Sequence, residues 1–489
     1  MRNGGILLPI FSLPSPYGIG TMGAEARRFV DFLSEAGQRY WQILPICPTA
    51  YGDSPYSSIS TFAGNPYFID LDQLCLDGYL TKKELRQADF TQDGQVHYDE
   101  LAEKREGALR LAFARFAQDP PEEFETFCAE NGWLEDYALF VSLKAANEGK
   151  AWLEWDEPIR RRDKRALTRV KKELAQDVAF WKFVQYLFYR QWSELKRYAN
   201  DKGVYIIGDL PIYVALDSAD VWADPGQFQL GEDLYPTEVA GVPPDAFTAD
   251  GQLWGNPLYD WDKMKKSGYA WWMGRIAHQC EIYDVLRIDH FRGFEAYYAI
   301  PYGDDTARNG RWREGPGLDF FRAVERRVGK PQIIAEDLGF LTDGVRRLLE
   351  DTGFPGMKVL EFAFDSREDS DYLPHNYDRH CVVYTGTHDN STVQGWAASA
   401  APDDVAFAAD YLCLTPKEGF HWGMMRGAWS SVADLAIVQM QDVLGLGDEA
   451  RINTPSTVGE NWRWRMDKKA LTPKLAQKLR HYMELYRRL

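Results

Sequence analysis

Eight short apolar runs, separated by longer amphipathic stretches, constrain this chain more than any other feature. They occupy residues 5–9, 40–45, 204–210, 285–289, 332–336, 358–362, 381–385 and 436–440. Each is short, β-branched and apolar nearly throughout, the pattern of strands covered on both faces in a parallel sheet. Helical periodicity lies between several of them, as at 317–328 and 342–351. A strand–helix alternation repeated eight times predicts a (β/α)8 barrel. The intervals are uneven. Residues 76–200 are rich in Glu, Lys, Arg, Leu and Ala and too long for one crossover, so they are expected to form a mainly helical insertion. Residues 213–269 are rich in Gly, Pro, Asp and Trp and are expected to be a loop-rich insertion over the active site. The 489 residues then make one catalytic barrel, 1–489, and the final helical pattern at 468–489 leaves no room for a C-terminal β-domain.

Composition narrows the substrate. The chain holds 73 acidic and 56 basic residues, a formal charge of −17. That balance argues against nucleic acid, anionic membranes and polyanionic substrates, all of which need clustered Lys and Arg, and favours a neutral substrate. The six cysteines are scattered without a CxxC pair, which suggests neither a disulfide framework nor a zinc module. The N-terminus lacks a signal-peptide pattern, and no run reaches the ~18 apolar residues of a spanning helix, so the chain reads as cytoplasmic. Trp254 and Trp462 lie in polar, Gly- or Arg-rich stretches. Such rings either pack locally or stack on sugar faces.

Four of the runs end in carboxylates: Asp209, Asp289, Glu336 with Asp337, and Asp389 after Thr387-His388. Each is open to two readings, as a helix N-cap or as part of an active site, which in this fold gathers at the C-terminal ends of the strands. Converging carboxylates repel one another unless chemistry requires them, and four together favour the second reading. Arg287 and Asp289 share one strand face, so the guanidinium is expected to hold Asp289 ionised, as a nucleophile or as half of a structural ion pair. Retaining glycosyl transfer needs two carboxyls about 5–5.5 Å apart, a spacing that adjacent strand ends allow Asp289 and Glu336. Glu336 then needs a raised pKa. His290 and His388 beside these acids also admit a metal-site reading, but no HxH or HExxH spacing supports it.

The ordered motifs Gly208-Asp209-Leu210-Pro211, Arg287-Ile288-Asp289-His290, Ala335-Glu336-Asp337 and Thr387-His388-Asp389-Asn390 resemble the conserved regions of the α-amylase clan. With Ser54-Pro55-Tyr56, Gly241-Val242-Pro243-Pro244-Asp245, Gly251 through Pro257 and Asn453-Thr454-Pro455, the resemblance within the clan is to glycoside hydrolase family 77, the 4-α-glucanotransferases or amylomaltases. That resemblance implies Asp289 as nucleophile, Glu336 as general acid/base and Asp389 as the residue that holds and distorts the donor sugar. It implies Asp209, Arg287, His290 and His388 in substrate binding, with Tyr56 and Trp254 as glucan-contacting aromatics. The implied partners are malto-oligosaccharides, glucose and other α-1,4-glucans, with no cofactor and no metal, and the chain acting as a monomer or weak homo-oligomer. Tyr213 and Val214 stand where α-amylases proper carry an Asn-His pair whose Asn ligates calcium. The departure points toward the transferases.

Overall fold

The computed structural model describes residues 2–87, 90–244, 248–339 and 341–489. Asp245 and Phe247, which fall in segments singled out above, lie outside the described residues. Twelve strands are present among them: β1 (Asn3–Leu7), β2 (Tyr40–Gln42), β3 (Tyr205–Leu210), β4 (Glu238–Val242), β5 (Gln252–Pro257), β6 (Val285–Ile288), β7 (Ala296–Pro301), β8 (Arg311–Glu314), β9 (Ile333–Ala335), β10 (Gly356–Val359), β11 (Cys381–Tyr384) and β12 (Leu435–Gln439). Eight of them form one parallel sheet in the order β10-β11-β12-β1-β2-β3-β6-β9. The circle closes where the Ala335 N–H donates to the Pro355 carbonyl at 3.0 Å, joining β9 to the start of β10. The fold is a (β/α)8 barrel.

The eight apolar runs are the eight barrel strands, most of them shorter than the runs. The run at 358–362 is displaced: its strand is Gly356–Val359, and Leu360–Phe362 turns into a 3₁₀ helix. Within the barrel, Leu7, Ile207, Val285, Ile334, Met357 and Val382 belong to one buried cluster. These residues explain where the site lies. Side chains two apart share a strand face, so the positions after Ile207, Val285 and Ile334 on the same face are Asp209, Arg287 and Glu336. The polar site is the upper layer of the same interior that hydrocarbon fills below.

Between β2 and β3 the chain runs through a series of helices that includes Tyr98–Phe116, Leu134–Ala146 and the 27-residue Ala175–Asp201. The longest one clasps the segment after β2 with two side-chain amides. Gln185 exchanges hydrogen bonds with the backbone of Gly64 (2.7 and 2.9 Å), and Gln191 does the same with Asp70 (2.7 and 3.1 Å). Buried Arg275 reaches the same region from the helix Ala270–Ile282. It donates to Thr61 Oγ1 (2.6 Å) and to the carbonyls of Pro211 (2.6 Å) and Ile212 (3.0 Å), tying the loops after β2 and β3 together.

The 213–269 segment differs from the expectation of loops. It carries β4 and β5, which join β7 and β8 in an antiparallel sheet ordered β5-β4-β7-β8. The β5 sequence, Gln-Leu-Trp-Gly-Asn-Pro, has poor strand propensity. Pairing with β4, which itself pairs with the hairpin inserted after β6, supplies what propensity lacks. Among the described residues no helix is long and apolar enough to cross a membrane.

Gly208 lies in β3 beside Asp209, and a Cβ there would stand 2.1 Å from the ring of buried Tyr283. Gly208→Ala is expected to lower stability by about 1–3 kcal/mol through overpacking. A lower urea midpoint at unchanged slope would report it, and an unchanged midpoint would mean the ring moves aside freely.

Candidate active site

Backbone register builds this site. Asp209 on β3 and Arg287 on β6 are direct neighbours in the ladder, as are Ile288 and Ala335 on β6 and β9. Hydrogen bonding continues past the strand ends: Asp289 N–H to Leu210 (3.0 Å), Glu336 N–H to Ile288 (3.0 Å) and Phe291 N–H to Glu336 (3.0 Å). Asp289 and Glu336 are therefore held by peptide groups on adjacent strands.

One guanidinium serves the acidic layer. Arg287 Nη1 lies 2.7 Å from both oxygens of Asp209 and 3.0 Å from Asp289 Oδ1. Tyr56 adds a hydroxyl to Asp209 Oδ2 at 2.7 Å and stacks on His388 with ring centroids 5.1 Å apart. Asp389 Oδ1 takes the Asn453 amide at 2.6 Å and lies 3.3 Å from His388 Nε2. His290 has a left-handed backbone (φ +50°), which for a non-glycine residue costs roughly 1 kcal/mol. In that turn its N–H donates to Glu336 Oε2 at 2.7 Å, and the Leu338 N–H donates to Oε1 at 2.8 Å. Trp254 meets the His290 ring edge-on, with centroids 4.9 Å apart.

The electrostatics correct one expectation. Arg287 does not hold Asp289 in the ordinary carboxylate range; the carboxyl is pushed up to about 8. Enclosure by the barrel walls is the main cause. Arg287 opposes it, and the negative charges of Asp209, Glu336 and Asp389 add to it. The guanidinium stands closer to Asp209 than to Asp289, so its field is divided. Glu336 is also raised, as expected, by burial first, against the pull of Arg287 and of its two backbone N–H donors. Burial lowers His388 and takes His290 down to about 3, so both rings are neutral near pH 7.

These groups line a cleft of about 1600 Å³ together with Tyr56, Trp254, Phe362 and Trp462. All nine residues singled out from the sequence line it or touch it: Asp209 is buried beneath, reached through Tyr56 and Arg287. The volume exceeds that of common small-ligand pockets, about 300–1000 Å³, and suits an extended chain. Among the described residues no group of three or more His, Cys, Asp or Glu is arranged to hold a metal ion. Nothing in the sequence signals the Leu338 and His290 N–H donors, because backbone donors carry no residue signature. Asn453 lies in a recognised motif, but only the fold brings it to Asp389.

Stability should report the raised carboxyls. The contribution of Asp289 is complete below the unfolded pKa of about 4 and is lost as pH rises through about 8. Asp289→Asn, which leaves the Arg287–Asp209 pair intact, is therefore expected to melt a few degrees above the parent at pH 8. The difference should close at pH 4. Equal melting temperatures at both pH values would show that Arg287 cancels the burial effect.

The comparisons with known proteins agree with this geometry. Residues 8–472 match the family model of glycoside hydrolase family 77, described as 4-alpha-glucanotransferase. The chain is 48% identical to the 4-alpha-glucanotransferase of Clostridium butyricum, over 98% of this chain and 99% of that protein. It is also 48% identical to the Thermus thermophilus enzyme of the same name, over 99% of each. The structure of the amylomaltase from Streptococcus agalactiae in complex with acarbose superposes with a TM-score of 0.98 at 43% identity, covering 100% of both chains. With the barrel, the ordered motifs and these full-length similarities together, the chain belongs to glycoside hydrolase family 77, and its activity is that of a 4-alpha-glucanotransferase.

Proposed function

We propose that the chain moves α-1,4-glucan segments from a donor malto-oligosaccharide to the 4-hydroxyl of an acceptor glucose or glucan, with retention, through a glycosyl ester on Asp289. The observation that carries this reading is the placement of Asp289 and Glu336 on adjacent strand ends inside one cleft, linked through the His290 N–H. Glu336 in its acid form gives its proton to the glycosidic oxygen while an Asp289 oxygen attacks C1. The C1–O bond breaks and the reducing-end fragment leaves with a free 4-hydroxyl. Glu336 then takes the proton of an incoming 4-hydroxyl, whose oxygen attacks C1 and releases Asp289 as carboxylate.

The electrostatics favour these roles. Burial and mutual repulsion raise both carboxyls, so the pair keeps a proton near neutrality. Arg287, 3.0 Å from Asp289, supports the charged form of that carboxyl against burial, and in this reading the proton that the pair keeps resides on Glu336. The N–H donors at 2.7 and 2.8 Å stabilise the Glu336 carboxylate once the proton has gone. Asp389 and His388 hold the donor sugar by its hydroxyls, and Tyr56, through Asp209, fixes that wall of the cleft. That the Streptococcus agalactiae amylomaltase was solved with acarbose supports a malto-oligosaccharide ligand.

Incubation with maltotriose is expected to yield glucose together with longer oligomers. Glucose without a ladder would favour a hydrolase. Glu336→Gln, given a maltosyl fluoride whose leaving group departs without a proton, is expected to accumulate enzyme carrying added sugar mass. Intact-mass spectra without that addition, while turnover falls by at least about 10³-fold, would remove Glu336 from the acid/base role.

Transfer over hydrolysis requires an aligned acceptor, because water competes at ~55 M. Trp254 is the side chain proposed to supply it. It is 38% exposed to the cleft and sits beside His290. The stretch carrying it is strand β5. A Cβ on Gly251 would meet the Val242 carbonyl at 2.5 Å, and Asn256 donates to the Val214 carbonyl at 2.9 Å, so the ring is presented by a pinned edge. Trp254→Ala is expected to raise the hydrolysis-to-transfer ratio severalfold on maltotetraose, with added maltose restoring transfer only at higher concentration. An unchanged ratio would show that another surface selects the acceptor.

A further inference from the structure

The loop bearing His388 and Asp389 is held almost entirely by the segment that follows β12. Asp442 accepts from the Thr385 hydroxyl (2.6 Å) and the Val393 N–H (2.7 Å), and Asp448 accepts from the Thr392 N–H (3.0 Å). Gln439 donates to the Ser391 carbonyl at 3.1 Å. Arg451 bridges the two segments, with Nε on the Asn453 carbonyl (2.8 Å) and Nη2 on the Asp389 carbonyl (2.6 Å). The Asn453 N–H donates to the His388 carbonyl at 3.1 Å. The backbone of Asn453 is thus held at its N–H and at its carbonyl, and its side chain is directed at Asp389. That direction ends at Asp389 Oδ1, 2.6 Å from the amide nitrogen. A carboxylate accepts and does not donate, so the amide must face it with NH₂.

We propose that Asn453 is a positioning residue for glucan transfer: its amide fixes the rotation of the Asp389 carboxylate, keeping Oδ1 occupied and Oδ2 available to the donor sugar. The inference rests on the reading above that Asp389 grips that sugar. The Asp389 side chain is 46% exposed and has two rotatable bonds, and its other neighbour, His388 Nε2, stands farther off at 3.3 Å from the same Oδ1, so without the Asn453 amide its carboxylate would sample several orientations in the cleft. A charge-assisted hydrogen bond from a pinned amide selects one of them. Because hydrogen bonds to the donor ring strengthen as it flattens toward the transition state, losing the selection should act on kcat more than on KM.

Three variants and a cycle test this, with maltotriose as donor and acceptor and melting temperature as the check on folding. Asn453→Ala is expected to lower kcat/KM about 10- to 100-fold, chiefly through kcat. Asn453→Asp keeps the shape but puts an acceptor against an acceptor, so it should be at least as poor as the alanine variant. A residue that merely filled space would be rescued by it. Asp389→Ala alone is expected to lose activity strongly, and adding Asn453→Ala to it should cost less than about twofold more, because two residues acting as one unit are not additive. Near-parent activity of either single Asn453 variant, or losses that add in the double variant, would overturn the positioning role. Full activity of Asp389→Ala would instead sink the reading of Asp389 on which it rests.

Discussion

The site depends on one buried cation. Arg287 is enclosed inside the barrel with its guanidinium against Asp209 and Asp289, and its charge is felt by Glu336 as well. Taking one charge of each sign out of water is expensive, and the attraction between them returns the loss only with good geometry. Here the geometry comes from the ladder, which places Asp209 and Arg287 side by side before any side chain moves. The acidic layer still exceeds the cation. Burial first, with that excess added to it, raises Asp289 and Glu336 and keeps a proton in the site. A second guanidinium at the same depth would satisfy the carboxylates and remove the acid.

Around this centre the structure spends its polar groups on fixing loops. The amides of Gln185 and Gln191 bind the backbone of Gly64 and Asp70, and the guanidinium of Arg275 binds the carbonyls of Pro211 and Ile212. The segment after β12 does the same for the His388–Asp389 loop. Each such loop would otherwise leave buried peptide groups without partners, at a cost of about 1–3 kcal/mol apiece. The same bonds that satisfy them hold the carboxylate layer still, which is what a transferase requires of its site if a sugar hydroxyl is to react before water does. The neutral histidines and the rings of Tyr56, Trp254 and Trp462 complete a lining suited to an uncharged ligand with many hydroxyls.

Sequence alone determined the barrel and the carboxylate layer at its rim, because both follow from the pattern of the runs. A strand buried on both faces must be apolar throughout, so eight such runs announce eight strands; a carboxylate at the end of each of four runs marks the rim. Arg287 two residues before Asp289 already placed both on one face. Tertiary structure alone decided what those residues experience. Whether Arg287 lowers Asp289 depends on how many other carboxylates share it and how much water remains, which are properties of four strands together. The antiparallel sheet carrying Trp254 was invisible for a related reason: its strands are made by pairing and not by propensity. Asn453 could be read as part of a motif but not as a partner of Asp389, since 64 residues separate them and only the pairing of β11 with β12 brings them within 2.6 Å.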